Sequence, residues 1–199
     1  TAFFPGGRGL WLEQDSTDFP SILILGQDFS TVKAYEAMIE GNKADLNSPT
    51  WKNLIKLFEV GGVDLKRCFF SNVFMGLRDT EKMTGKFPGA RDKDFVNRNL
   101  EFLLFQIETI KPEIIITLGR PASEMVAKLS RPDLDCWDKG RALSSPDNGY
   151  KTNISFNGHI CKCVALEHTS MRNSNVKRRV YGKHKGHEAE VEMLRDAIK

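Results

Sequence analysis

The chain has 199 residues, 40% of them hydrophobic and 28% charged, with a formal net charge of +3. That length suits one domain with a three-layer core, and the composition is that of a soluble globular protein. It excludes a membrane span, because no run of about 18 apolar residues occurs, and no secretory signal is expected, because no basic region precedes an apolar stretch at the N-terminus.

Thr1 to Asp18 reads as a loop with a short helix around Leu10 to Gln14. Its Gly6-Gly7-Arg8-Gly9 neither follows a strand nor opens a helix, so it is a poor phosphate loop. Ser21 to Leu25 is an apolar run bounded by Pro20 and Gly26, too short for a helix and right for a buried strand. Thr31 to Glu40 reads as a helix with Ser30 as its N-cap. A polar loop, Gly41 to Ser48, leads to a helix over Pro49 to Val60, with Ser48 as cap, Pro49 at the first position and Gly61-Gly62 at the end. Cys68 to Val73 is a second strand. The long Phe74 to Asp92 loop at its carboxyl end is in a position that often carries function.

Lys93 to Thr109 shows apolar residues every three to four positions and reads as a helix stopped by Lys111-Pro112. Glu113 to Leu118 is a strand, and Gly119 to Leu129 turns into a helix. Ser130 to Gly149 shows no regular pattern and is expected to be a loop. Thr152 to Leu166 reads as a hairpin turning at Asn157-Gly158. His187 to Lys199 is a terminal helix. The βαβαβαβ order predicts a three-layer α/β/α fold on a central, mainly parallel four-stranded sheet.

Two segments stand just past apolar strands: Gly26-Gln27-Asp28-Phe29-Ser30 and Glu167-His168-Thr169-Ser170. In a parallel sheet, ligands bind outside the carboxyl ends of the strands. Asp28 and His168 are thereby directed to one crevice, where an acid and an imidazole form a candidate catalytic pair. The plain alternatives are an N-cap for Asp28, a structural imidazole for His168 and a local turn bond for the strand-end Asn72.

Gly26-Gln27-Asp28 resembles the Gly-Gln-Asp-Pro-Tyr motif of uracil-DNA glycosylases, and His168-Thr169-Ser170 resembles their His-Pro-Ser motif. Cys68-Phe69-Phe70-Ser71-Asn72-Val73 resembles the strand whose Asn reads the base. Phe105-Gln106-Ile107 through Leu118-Gly119 resembles the helix, Lys-Pro turn, strand and Leu-Gly of the same superfamily. The resemblance runs from about Ser21 to Arg172. The chain departs from it at Phe29 for Pro, Ser30 for Tyr and Thr169 for Pro, as a divergent member would.

The resemblance implies a monofunctional, metal-independent DNA glycosylase of base excision repair. It hydrolyses the N-glycosidic bond of uracil, or of a related deaminated or damaged base, flipped out of DNA into a pocket. Asp28 positions the attacking water and stabilises the sugar cation. Neutral His168 donates to the base O2, and Asn72 matches the base edge. Gln27, Phe29 and Ser30 border the base. Ser30 is small where a Tyr would exclude a 5-methyl group. Phe29, Tyr35 or Trp51 supplies a stacking face. Ser170 binds a phosphate, and Arg172 fills the gap in the helix or binds phosphate.

Charge distribution supports a DNA partner. Thr169 to His187 carries Arg172, Lys177, Arg178, Arg179, Lys183 and Lys185 and no acid, on an otherwise mildly acidic chain. Lys177, Arg178 and Arg179 are therefore taken as backbone contacts. The four cysteines, Cys68, Cys136, Cys161 and Cys163, suit a reduced, cytoplasmic setting. Nothing before Cys68 supplies cysteines for an iron–sulfur cluster, so no cofactor is expected. His159, Cys161 and Cys163 share one strand face, which buried alternation explains without a metal. A monomer is expected. The rival functions are a non-catalytic nucleic-acid-binding module of the same fold and an α/β enzyme of small nucleotides.

Overall fold

A computed structural model describes residues 20–40 and 48–199 of the chain. The expectations for residues 1–18 and for most of the Gly41 to Ser48 loop lie outside the described residues.

Strand β1 (Ile22–Gly26) is buried along its whole length. Ile22 and Ile24 face a core built with helix α2 (Pro49–Gly61) and helix α7 (His187–Ile198). Leu23 and Leu25 face the opposite core, with helix α3 (Lys93–Ile110) and helix α4 (Arg120–Leu129). Strand alternation thus makes three layers from one apolar run. Each of these side chains contributes about 1.5–3 kcal/mol by full burial.

The sheet order is β2-β1-β3-β5-β4. Strands β2 (Cys68–Asn72), β1, β3 (Ile114–Leu118) and β5 (His159–Leu166) run parallel. The sheet has five strands, not four. The extra one is β4 (Tyr150–Phe156), the first arm of the expected hairpin, which pairs antiparallel with β5 at the sheet edge. Half-buried or exposed up to Asn153 and alternating only over Ile154 to Phe156, it is an edge strand whose register shifts between Lys151 and Ile154, where Asn153 has φ 57°.

Helix α2 starts and ends where its sequence predicts, with Ser48 at the N-cap position but making no side-chain cap bond, Pro49 at the first position and Gly62 closing it at φ 77°. In helix α1 (Val32–Glu40) the cap differs. Thr31, not Ser30, caps it: the Thr31 hydroxyl accepts from the Ala34 amide at 3.2 Å. The expected loop Ser130 to Gly149 contains a 3-10 segment at Asp135–Gly140 and helix α5 (Arg141–Ser144). Leu134 and Trp137, both fully buried, hold it on the core, and the Trp137 indole donates to the Asn148 carbonyl at 2.6 Å. His159 donates from Nε2 to the Pro112 carbonyl at 2.8 Å, while Cys161 and Cys163 pack in the core. Among the described residues, no helix is long and apolar enough to cross a membrane.

Candidate active site

The strand order reverses direction at β1: one crossover leads to β2, the next to β3 on its other side. This is the switch point at which open α/β sheets bind ligands. Asn72 ends β2 opposite Gly26 at the end of β1, and β3 and β5 end level at Leu118 and Leu166. Gln27, Asp28, Phe29, Ser30, Asn72, His168 and Ser170 therefore leave the sheet along one edge.

Beyond β1 the chain stays zipped to the loop after β2. The Val73 and Phe74 amides donate to the Gly26 and Gln27 carbonyls at 3.0 and 2.9 Å. The Phe29 amide donates to Gly76 at 3.2 Å, the Arg78 amide to Ser30 at 2.7 Å and the Val32 amide to Arg78 at 3.1 Å. The Gln27 side chain donates to the Gly85 carbonyl at 3.2 Å.

The Asp28 carboxylate lies in the middle of this zipper. Its Oδ1 accepts from the Ser30 amide at 2.9 Å. The Arg78 guanidinium grips it as a fork, Nε shared between Oδ1 at 3.1 Å and Oδ2 at 3.2 Å and Nη2 to Oδ2 at 2.7 Å. The two side chains are 3% and 6% exposed. Arg78 also donates to the Thr84 and Gly85 carbonyls at 3.2 and 2.8 Å, and its charge lies 5.9 Å from the Phe87 ring centre. Phe74, Phe87 and Phe95 stack beneath that loop. Nothing in the sequence resemblance pointed to Arg78.

Ser30 is buried at φ 68°, and its hydroxyl has no hydrogen-bond partner among the described residues. A left-handed backbone suits Gly, Asn or Asp and disfavours a bulky side chain. The departure from Tyr at this position thus has a backbone reason. Asn72 is 2% exposed. Of the three stacking candidates, Trp51 lies in the core, edge-on to Phe70 at 4.9 Å. Phe29 and Tyr35 remain partly exposed.

His168 caps a short 3-10 turn, Thr169–Met171. Its Nδ1 lies 2.8 Å from the Ser170 hydroxyl and accepts from the Ser170 amide at 3.4 Å. An accepting Nδ1 places the proton of the neutral ring on Nε2. Burial lowers the imidazole pKa below its ordinary 6.5, and the Asp28 carboxylate opposes that shift. The turn is fixed through its backbone. Asn53 donates to the Thr169 carbonyl at 2.9 Å. Glu190 accepts the Glu167 amide at 2.7 Å. Gly119, at φ 86°, makes room: a Cβ there would lie 3.1 Å from the His168 Cβ.

The basic segment divides in two. Lys177 and Arg178 are exposed, as a phosphate contact requires. Arg172 and Arg179 are only 5% and 1% exposed, so neither guanidinium is available to DNA as expected from the sequence. Both pair with the fully buried Glu190 of α7. Arg179 also donates to the Ala142 and Ala165 carbonyls at 2.8 and 2.6 Å, and Arg172 contacts His187. Burial pulls both guanidinium pKa values down to about 10, still protonated at neutral pH. On either side of Arg172, Met171 and Asn173 are exposed, Met171 by 48%. Ser170 is exposed, but its hydroxyl already serves His168.

Among the described residues, His184, Glu188 and Glu192 bring donor atoms within 4.8 Å of one another. Arg195 already pairs with both carboxylates, so the group reads as a surface ion-pair network. The Cys68 thiol, pushed up to about 12 mainly by burial, is a core side chain without nucleophilic character.

No curated protein matches the chain. Residues 18–197 match the family described as the uracil DNA glycosylase superfamily, which spans both strand-end motifs and the sheet that carries them. The chain belongs to the uracil DNA glycosylase superfamily.

Proposed function

We propose that the chain is a monofunctional DNA glycosylase that hydrolyses the N-glycosidic bond of uracil, or of a related deaminated base, flipped out of DNA. Three groups of different chemistry at neighbouring strand ends support this reading. The carrying observation is the state of His168: half-buried, shifted toward neutrality, with Nδ1 accepting and Nε2 left as the donor.

The C1′–N1 electron pair leaves with the base, and negative charge spreads to O2. The His168 Nε2–H meets that charge as a hydrogen-bond donor. The sugar becomes cation-like facing the Asp28 carboxylate, which also orients water toward C1′. Water adds to C1′, and its proton passes to the departing base or to solvent. Asn72 contacts the base edge, with Gln27, Phe29 and Ser30 around it. Lys177 and Arg178 hold phosphates, Ser170 orients His168, and Met171 is the apolar wedge that takes the place of the flipped nucleotide. No lysine stands at a position that the family resemblance makes a nucleophile, so the strand is left uncut.

The test is release of free base from duplexes containing uracil, hypoxanthine or a thymine mismatch, with a chelator present. Uracil release leaving an intact abasic strand is the expected result. Release of none of these bases sinks the reading. Salt-dependent binding of a uracil duplex without release selects the second reading, a non-catalytic binding module, which draws on the occupied state of the Asp28 carboxylate.

A further inference from the structure

We infer that Arg78 is a positioning residue for Asp28, one that fixes the plane of its carboxylate and makes the loop after β2 part of the site. The inference rests on the glycosylase reading above.

Of the five guanidinium N–H groups of Arg78, four are directed at this one region: at both carboxylate oxygens and at the Thr84 and Gly85 carbonyls. The side chain is buried, and its ion-pair partner is Asp28. A carboxylate offers about four acceptor directions. On Oδ1 the Ser30 amide and Arg78 Nε take both. On Oδ2, Arg78 Nη2 donates at 2.7 Å and Nε, shared between the two oxygens, reaches it at 3.2 Å. The fork therefore fixes the plane of the carboxylate and with it the direction from which a water is held.

The same side chain closes a circuit through the backbone. Ser30 donates to Asp28 and accepts from the Arg78 amide, so the left-handed turn at Ser30 is held by the two members of the pair. A buried arginine serving only the fold would not need to converge on the candidate catalytic acid from both side chain and backbone. With both oxygens already accepting from Arg78 and Ser30, the role of Asp28 is orientation of water and field at the sugar.

The test measures steady-state uracil release by R78M, R78K, D28N and the D28N/R78M double variant. R78M is expected to lower kcat about 10²-fold, the size of losing one preorganised polar partner at a reacting centre. KM for DNA should stay within about threefold, because the loss is in the transition state. R78K keeps the charge but not the fork, and should regain about tenfold of that loss. In the double variant, R78M should add less than about threefold to the D28N loss, since both act through one carboxylate.

Turnover by R78M at or above that of the unchanged protein overturns the inference, as do losses that simply multiply or a KM that moves with kcat. If R78M does not fold, R78K decides alone, and full activity in it overturns the inference. If the unchanged protein releases no base, the functional reading fails instead. The fork is then read from hydrogen exchange of the Ser30 amide, which bonds Asp28: faster exchange in R78K supports positioning by Arg78, and unchanged exchange overturns it.

Discussion

The two ends of the candidate site are held in opposite ways. At the β1 end the functional side chain itself is gripped: both oxygens of Asp28 lie in the fork of Arg78. At the β5 end the imidazole is held only at Nδ1, by Ser170 of its own turn, and it is the backbone that the rest of the fold grips. Glu190 takes the amide before His168, Asn53 takes the carbonyl after it, and Gly119 gives its Cβ clearance. An acid that orients water gains from a fixed carboxylate plane. An imidazole that must follow charge onto a departing base needs its Nε2 unencumbered. Each end also has a buried counter-charge, Arg78 behind the acid and Glu190 behind the histidine turn.

The sharpest way to break this contrast is Glu190→Ala. It leaves Arg172 and Arg179 buried without their anion and should cost about 3–5 kcal/mol. At roughly 2–4 °C per kcal/mol for a chain of this size, a thermal melt should shift by about 10 °C. A shift of about 2 °C or less would mean the pair is solvated and the backbone grip is weak.

Asp28→Asn keeps the shape of the first motif and removes its charge. Base release should fall about 10²–10³-fold while DNA affinity is retained. Near-normal turnover ends the assignment of Asp28 as the catalytic acid, whatever Arg78 does.

Ser30→Tyr asks a bulky residue to hold φ 68° and should destabilise by about 1–2 kcal/mol. Ser30→Gly should melt within about 0.5 kcal/mol of the unchanged protein or above it. In base release, the unchanged chain should reject 5-substituted uracils less strictly than Ser30→Tyr does. Equal strictness would show that another residue guards the pocket.

The histidine end can be read by pH. His168 has a folded pKa below its ordinary 6.5, so the unfolded chain binds the proton more readily. Stability from the half-buried neutral ring is therefore present above about 6.5 and lost as pH falls below it. The acid limb of kcat should lie below the ordinary histidine range. A limb at or above 6.5 would place His168 in a solvated setting.

The smallest expected effect belongs to Lys177→Gln with Arg178→Gln. The slope of log Kd against log salt should fall by about two, one per phosphate contact. No change would remove this segment from the DNA surface.

The elements were legible where a pattern had one physical cause. Four buried strands showed as short apolar runs, and both strand-end motifs followed from them. β4 was visible as a hairpin arm, but that it joins the main sheet depends on which edge of β5 is open, a tertiary fact. Leu134 and Trp137 are spaced one helical turn apart inside an otherwise polar stretch, too short a signal to overrule the prolines around it. The basic run misled because sequence adjacency says nothing of direction: Arg178 points out, Arg179 in. One clue was available. Glu190 sits among the apolar positions of the last helix, where an acid needs a buried cation as partner. Arg78 had no such clue, being one arginine in a loop of glycines and lysines.

The contacts that assemble the site span the chain: Arg78 meets Asp28 across 50 residues, and Asn53 meets Thr169 across 116. No short fragment of the chain holds both contacts. Contacts of such high sequence separation form only after the intervening loops close, and closure is slow. Chemical competence should accordingly arrive last during folding and leave first during partial unfolding. Release of the edge strand β2, which ends at Asn72 and leads into the Arg78 loop, would silence the protein while most of its core stayed folded.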